Sequence, residues 1–561
     1  HLRLSIIDLD IRSNQPMAYD NYIIVFNGEI YNFKDIRDEL ITLGYNFNTN
    51  GDTEVILKGY KEWGSSVVKK LNGMFAFVIY DKESNKIFCS RDRIGVKPFF
   101  YYYKDGFFEI CSQLGPISEN RTVNYDAVKM YLSCTYIPSP YSIYEDIYKL
   151  QPGHNLTIDL TNNNSIQIEE YWNLKNVERS KLSYSEALDK THDLLVDAVK
   201  IRLNSDVPIG TFLSGGIDSA LVTSIASNLS NKKVKSFVIG FEDPNYDESK
   251  TAEKFANIIG SDHTEIICKA DDILEMIPKF IDTYDEPFGD SSALPSLLLN
   301  KVTKPHVTVA LSGDGGDESF LGYNHFDWVY KFNMISFVPF FIRKLLSKLL
   351  PHSIPKNRRE SIKRILKTKT KFDFIEGIFV GYNPLIKNRN LNWLKNYSSY
   401  KRWSNNNYQM TADLSIKLWL ENDSNVKVDR ASMASSVEVR SPFLDYRLIE
   451  FARTLPISYR YIKGNKKRIL KDILIRYIPK EIFNLPKKGF SIPINNWIRH
   501  ELKNEFETTL SDNFLSMIPD LDINKFKEMF GDHMDNKADY SSYIWRMYVL
   551  AKWFEKNGVT K

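Results

Sequence analysis

The chain has 561 residues, 43% hydrophobic and 26% charged, and its 74 Lys and Arg against 70 Asp and Glu leave a formal net charge of +4. That length predicts more than one domain, the apolar fraction excludes a disordered chain, and the near balance of charge speaks against a protein that binds nucleic acid over its whole surface. Four cysteines, at 89, 111, 134 and 268, form no CxxC pair, which argues against a zinc ribbon or a disulfide scaffold and fits a reducing, cytoplasmic setting.

Roughly the first 170 residues read as β-rich. Tyr22–Phe26 is an apolar run ending in Asn27-Gly28-Glu29. Met74–Tyr80 is a second, followed by a polar turn and Lys86–Cys89. Phe99–Tyr103 and Phe107–Cys111 flank Lys104-Asp105-Gly106, a hairpin signal because Gly takes positive φ without a Cβ clash. Val123–Leu132 and Pro152–Leu160 are read as the last strands, giving two sheets that bury their inner faces.

The period then changes. Ser183-Tyr184-Ser185-Glu186 is a capping box that opens a helix with Leu188, Leu195, Ala198 and Val199 on one face. Strands at Val207–Leu213, Val234–Gly240 and Val307–Leu311 alternate with helices at Ser219–Leu229 and near Glu248–Ile259, the pattern of a doubly wound parallel sheet. The rest is mostly helical. A boundary near Tyr171–Lys181 divides the chain into domains at 1–175 and 180–561.

No apolar run approaches the ~20 residues of a membrane span. The nearest, Met334–Ile342, contains Pro339 and reads as a core helix or a loop insertion. From Arg343 to Lys371 there are eleven Lys and Arg and one acid, Glu360. We read this stretch as a solvated helical face in preference to a membrane or nucleic-acid patch.

Two loops carry the chemistry. Ser214-Gly215-Gly216-Ile217-Asp218-Ser219 follows a strand and opens a helix. Its glycines let backbone N–H groups converge on an anion, the helix N-terminus adds partial positive charge, and Ser214 and Ser219 add hydroxyl donors. Asp218 would repel phosphate unless a divalent cation lies between them, which suggests Mg2+ on a leaving pyrophosphate. The loop is neither a Walker A nor a GxGxxG sequence and resembles that of the ATP pyrophosphatases. Ser312-Gly313-Asp314-Gly315-Gly316-Asp317-Glu318 also follows an apolar strand. Asp317 is the natural second metal ligand, and Asp314 is placed to act on the substrate.

Together with these loops, Arg3-Leu4-Ser5-Ile6-Ile7-Asp8, Asn27-Gly28-Glu29-Ile30-Tyr31-Asn32, Asp52-Thr53-Glu54, Leu71-Asn72-Gly73-Met74, Arg91-Asp92-Arg93, Asp285-Glu286-Pro287, Asp429-Arg430-Ala431-Ser432-Met433, Glu438-Val439-Arg440-Ser441-Pro442-Phe443-Leu444-Asp445 and Lys487-Lys488-Gly489-Phe490 make the chain similar to the glutamine-hydrolysing asparagine synthetases over nearly its whole length. The resemblance implies an N-terminal αββα glutaminase domain of the N-terminal-nucleophile type and a C-terminal ATP pyrophosphatase domain with a helical extension. It implies that Arg3 pairs with the glutamine α-carboxylate beside Leu4, Ser5, Ile6 and Ile7, and that Glu29 and Asp52 hold the α-ammonium. Asn27 and the Gly28 N–H would form the oxyanion hole. In the second domain Leu213 and Ile239 would flank ATP with Ser214, Gly215, Gly216, Ser219, Ser312 and Gly313. Asp218 and Asp317 would hold Mg2+, and Lys467, with Lys466 as the competing assignment, would stabilise the adenylated intermediate.

The family's nucleophile is an N-terminal Cys. The sequence begins at His1, inside the family's first motif, and Cys89, Cys111 and Cys134 lie mid-chain, where they read as core residues. Either a segment precedes His1 or the enzyme uses free ammonia; the intact glutamine motifs favour the first. Asp314 stands where many asparagine synthetases carry Glu, and the Ser-Gly-Asp-Gly-Gly-Asp-Glu form is similar to that of a wider branch that includes amidotransferases of bacterial surface polysaccharides. The expected activity is ATP-dependent amidation of a carboxylate, aspartate first, with ammonia channelled from glutamine and AMP and pyrophosphate released. A uronic acid acceptor, an ammonia-only synthetase and a non-catalytic relic are the alternatives. No nucleic-acid partner is expected, and a homodimer is left open.

Overall fold

The computed structural model describes residues 1–559 apart from 163, 175–177, 352, 354–355, 382, 388–390 and 484–491, and the side chains of 270 and 356–358 are also not described. The expected motif Lys487-Lys488-Gly489-Phe490 and part of the boundary Tyr171–Lys181 therefore lie outside the described residues.

Fourteen strands are present among the described residues: β1 (Met17–Tyr19), β2 (Tyr22–Ile30), β3 (Gly73–Asp81), β4 (Lys86–Arg91), β5 (Phe100–Lys104), β6 (Phe107–Cys111), β7 (Ile147–Lys149), β8 (His154–Asp159), β9 (Ser165–Glu170), β10 (Ile209–Phe212), β11 (Lys235–Phe241), β12 (Asp262–Cys268), β13 (Val309–Leu311) and β14 (Glu438–Arg440). The first nine form an antiparallel six-stranded sheet, β1-β2-β3-β4-β8-β9, and a three-stranded sheet, β6-β5-β7. Period-two alternation assigns each face. Phe75, Phe77 and Ile79 of β3 pack with Phe88 against the helices Phe33–Thr42 and Asp52–Trp63. Ala76, Val78 and Cys89 point the other way, onto Tyr101 and Leu156. Phe100 and Tyr102 leave the far face of β5 and join Val128 and Tyr131. The order of layers is helix, sheet, sheet, helix.

Two local expectations are corrected here. Val123–Leu132 is not a strand but leads into the helix Tyr125–Cys134, which Asn124 caps by accepting from the Ala127 N–H at 3.1 Å. Its apolar residues are buried almost all round, which hid the helical period from a pattern reading. Asn27-Gly28-Glu29 does not end β2 but lies within it, paired with Ala76, Phe75 and Met74. The run survives there because Gly28 adopts φ +143° and a Cβ would overlap the Met74 carbonyl oxygen.

The second sheet is wholly parallel, in the order β12-β11-β10-β13-β14. The capping-box helix forms as expected, Tyr184–Arg202, with Ser183 donating its N–H to Glu186 at 2.8 Å. With the helices Ile217–Leu229, Ser249–Ile259 and Arg468–Leu474 it covers one face of the sheet. The other face packs on the helices Ala270–Thr283 and Ala293–Thr303, in a core continuous with that of Tyr125–Cys134. Met334–Ile342 is not a core helix, since Met334, Phe337 and Phe341 are exposed. No described helix is long and apolar enough to cross a membrane.

Candidate active site

β10 and β13 are neighbours, and strand order reverses between them, with β11 and β12 on one side and β14 on the other. The loops that leave their carboxyl ends enter one crevice, the place where open α/β sheets bind ligands. Around the first, Ser214 and Ser219 share a hydroxyl hydrogen bond of 3.0 Å, and the Gly216 N–H donates to Ser214 Oγ at 3.2 Å. Gly215 and Gly216 do not adopt positive φ. Glycine matters through space instead. A Cβ on Gly313 would lie 2.7 Å from the Ser219 nitrogen, and one on Gly316 would lie 2.6 Å from Asp218 Cγ. The two loops touch through their glycines.

Lys467 joins them. It caps the helix Arg468–Leu474 at φ +53°, is 5% exposed, and its ammonium donates to Asp218 and, at 2.7 Å, to Asp317. Lys466 faces elsewhere, onto Asn324 and Asp327. The sequence alone could not separate these neighbours, and the left-handed turn at Lys467 does. Gly322, which pattern reading missed, packs so closely that a Cβ would overlap both Asp317 Oδ1 and Lys467 Cε. Glu318, also buried, is pushed up to about 7 by burial and by the Asp317 carboxylate, while the Tyr323 hydroxyl donates to it at 2.6 Å.

Asp314 accepts from Ser312 Oγ at 2.8 Å, and its carbonyl accepts from Ser441. A small pocket opens beside it, walled by Ser312, Val96, Asn425, Asp429, Ser441 and Leu444. Lys427, another residue missed in the sequence, donates to Asp290 at 2.9 Å. Burial acts to lower its ammonium, but the Asp290 and Asp423 carboxylates outweigh that and hold it above the usual range. Leu213 and Ile239 send their side chains into the cores on opposite faces of the sheet, so only their backbone faces the crevice.

The glutamine motifs gather elsewhere, at the start of β3. Glu29 and Asp52 are buried together, and the Ile30 N–H donates to Asp52 at 2.9 Å. Burial and the Asp52 charge push Glu29 well up; burial pushes Asp52 up to about 6. Arg440, at the end of β14 in the second sheet, donates to Glu29 at 2.9 Å and to Glu438 at 2.7 Å. Its guanidinium also reaches the carbonyls of Arg202 and Asn204, at 3.0 and 2.7 Å. Arg3 donates to the carbonyls of Ile7 and Asp8, at 3.0 and 2.6 Å, and so shapes the segment Leu4–Ile7 without touching Glu29. Asn27 and Gly28 stand beside Glu29 in β2. Cys89 and Cys134 are buried and Cys111 half-buried, as expected of core thiols.

The Asp52 shift has a testable sign. The native state keeps a proton that the unfolded chain releases near the ordinary 3.8, so this contribution to stability is full below that value and is lost as pH rises through about 6. Asp52→Asn is expected to be more stable than the parent at pH 7 and to lose that advantage below pH 4. Denaturation midpoints at the two pH values check it, and an equal difference at both would refute the shift.

The sequence model of the asparagine synthase family matches residues 190–555, and that of a glutamine amidotransferase domain matches residues 1–172. An asparagine synthetase (glutamine-hydrolyzing) 1 of Bacillus subtilis is 29% identical over 99% of this chain and 89% of its own length. A putative asparagine synthetase 2 of Methanocaldococcus jannaschii is 40% identical over 62% of this chain and 71% of its own. A third synthetase of Bacillus subtilis is 30% identical over 87% and 79%.

Proposed function

Because the chain belongs to the asparagine synthase family, we propose that it converts aspartate to asparagine with ATP and glutamine-derived ammonia, releasing AMP and pyrophosphate. The observation that carries this reading is one buried lysine bonded to a carboxylate from each of two glycine-rich loops at the reversal point of a parallel sheet. A uronic acid acceptor finds no support in the names of the three relatives above, all asparagine synthetases.

The chain's residues divide the work as follows. The Ser214–Ser219 loop and the N-terminus of its helix bind the β- and γ-phosphates of ATP. An oxygen of the aspartate β-carboxylate attacks the α-phosphorus; the new P–O bond forms as the bond to pyrophosphate breaks. Lys467 faces the charge that develops there, and a preorganised ammonium in a water-poor crevice acts strongly on such charge. Ammonia then attacks the acyl carbon, loses a proton, and AMP leaves. Two hard carboxylates fit a Mg2+ that takes its remaining ligands from phosphates and water, and Asp218 and Asp317, drawn together on Lys467, would hold it. When bound it would neutralise phosphate charge.

Two neighbouring pockets support a reading in which ammonia passes between the domains. A second small pocket is lined by Gly73 and Met74, which pair with Ile30 and Glu29 of β2, and shares Val96, Ser441 and Leu444 with the pocket at Asp314. Ammonia released at Asn27-Gly28-Glu29 would follow that shared wall.

Incubation with ATP, Mg2+, aspartate and ammonium is expected to yield asparagine, AMP and pyrophosphate; ADP and phosphate would overturn the mechanism. Asp218→Asn should lower ATP–pyrophosphate exchange by roughly a hundredfold, because the loop keeps its shape and loses a ligand charge. Exchange near that of the parent would refute a metal role for Asp218.

A further inference from the structure

The segment 328–349 presents a surface that amide transfer does not use. Eight of the 22 large apolar side chains exposed among the described residues fall in it: Trp328, Met334, Phe337, Phe341, Ile342, Leu345, Leu346 and Leu349. Phe337 is 87% exposed, Phe341 71% and Leu349 67%. Monomeric proteins seldom leave so dense an apolar patch bare without a use for it. Its orientation is built in. Pro339 precedes the helix Phe340–Leu346, and Arg343 turns inward, donating to the Val338 and Thr368 carbonyls, each at 3.0 Å. Holding Arg343 at 4% exposure forces Phe341, Leu345 and Leu346 of the same helix outward.

Charge chooses the partner. Between Asp327 and Glu360 the chain has seven Lys and Arg and no acid. Lys331, Lys344 and Lys348 stand exposed among the apolar side chains. A second copy would bring this face against an identical cationic one. A protein partner is disfavoured because lysine is depleted from the cores of protein interfaces. Aromatic and aliphatic side chains interleaved with lysine suit the interface of an anionic bilayer, where the apolar groups enter the acyl boundary and the ammonium groups stay with the headgroups.

We propose that residues 328–349 dock the protein on the surface of an anionic lipid bilayer. For 343–349 this departs from the reading of the basic stretch 343–371 as an ordinary solvated face, because exposed apolar side chains share that part. The test is sedimentation of the full chain with vesicles of phosphatidylcholine alone and of phosphatidylcholine with an equal part of phosphatidylglycerol. Binding to the anionic vesicles only, reversed by high salt, is expected. The pairs Phe337→Ser with Phe341→Ser, and Lys344→Glu with Lys348→Glu, should each weaken partitioning about tenfold or more. Absence of binding to anionic vesicles, or equal binding by both paired variants, overturns the proposal. So does a concentration-dependent dimer that the Phe pair abolishes. The two pairs probe apolar and charged parts separately, so either alone decides should the other fail to fold.

Discussion

Lys467→Met is expected to reduce ATP–pyrophosphate exchange by about a hundred- to a thousandfold, the range seen when one preorganised donor to developing charge is removed. The methionine fills a similar volume, so packing around Gly322 is kept and the lost function is the charge. In the absence of nucleotide, Asp218 and Asp317 then face one another without the ammonium that now bonds both, and the variant should also lose stability. Lys467→Arg is not expected to rescue it. The planar guanidinium needs more room than the space left by Gly322, where a Cβ would already overlap the lysine. By contrast Lys466→Met should stay within a few-fold of the parent, since Lys466 bonds Asn324 and Asp327 away from the crevice. Exchange assays on the three variants decide the assignment. Equal losses from Lys466→Met and Lys467→Met would sink it.

Arg440→Met is expected to be the most destabilising single change, by about 3–5 kcal/mol, the usual cost of removing one partner from a buried ion cluster. Arg440 is fully buried and holds Glu29 of the first sheet and Glu438 of its own strand, together with two backbone carbonyls. Without it Glu29 and Glu438 lose the buried guanidinium that bonds both of them. The cost should therefore fall when the charges are removed as well, so Arg440→Met with Glu29→Gln and Glu438→Gln should recover part of the loss. Urea denaturation of parent, single and triple variants measures this. A triple variant no more stable than the single would show that packing, not charge, is the cause.

Much of this could be read from residue order. Alternation along Gly73–Asp81 and Phe100–Lys104 already separates the faces of two sheets, because strand geometry converts a period of two directly into sides. The Ser183 box and the two glycine-rich loops were legible for the same reason, since each depends on contacts within a few residues. The helix Tyr125–Cys134 was not, because burial on nearly every side erases the amphipathic signal and leaves only the Asn124 cap.

Other features were decided by tertiary structure. Whether Lys466 or Lys467 serves the crevice depends on the left-handed turn at Lys467 and on carboxylates at 218 and 317, far away in the chain. Glu29 and Arg440 are 411 residues apart, and no spacing rule links them. Gly322 is silent in the sequence, where its loop shows only permissive backbone; the folded molecule makes it the space that Asp317 and Lys467 fill. The Met334–Ile342 run has the composition of a core segment, and only the inward turn of Arg343 leaves its neighbours facing solvent. Local patterns indicated most of the elements and singled out the two glycine-rich loops. Pairing of buried charges, close approach at glycine and the choice of exposed face rest on distances between remote segments, and those exist only once the chain has folded.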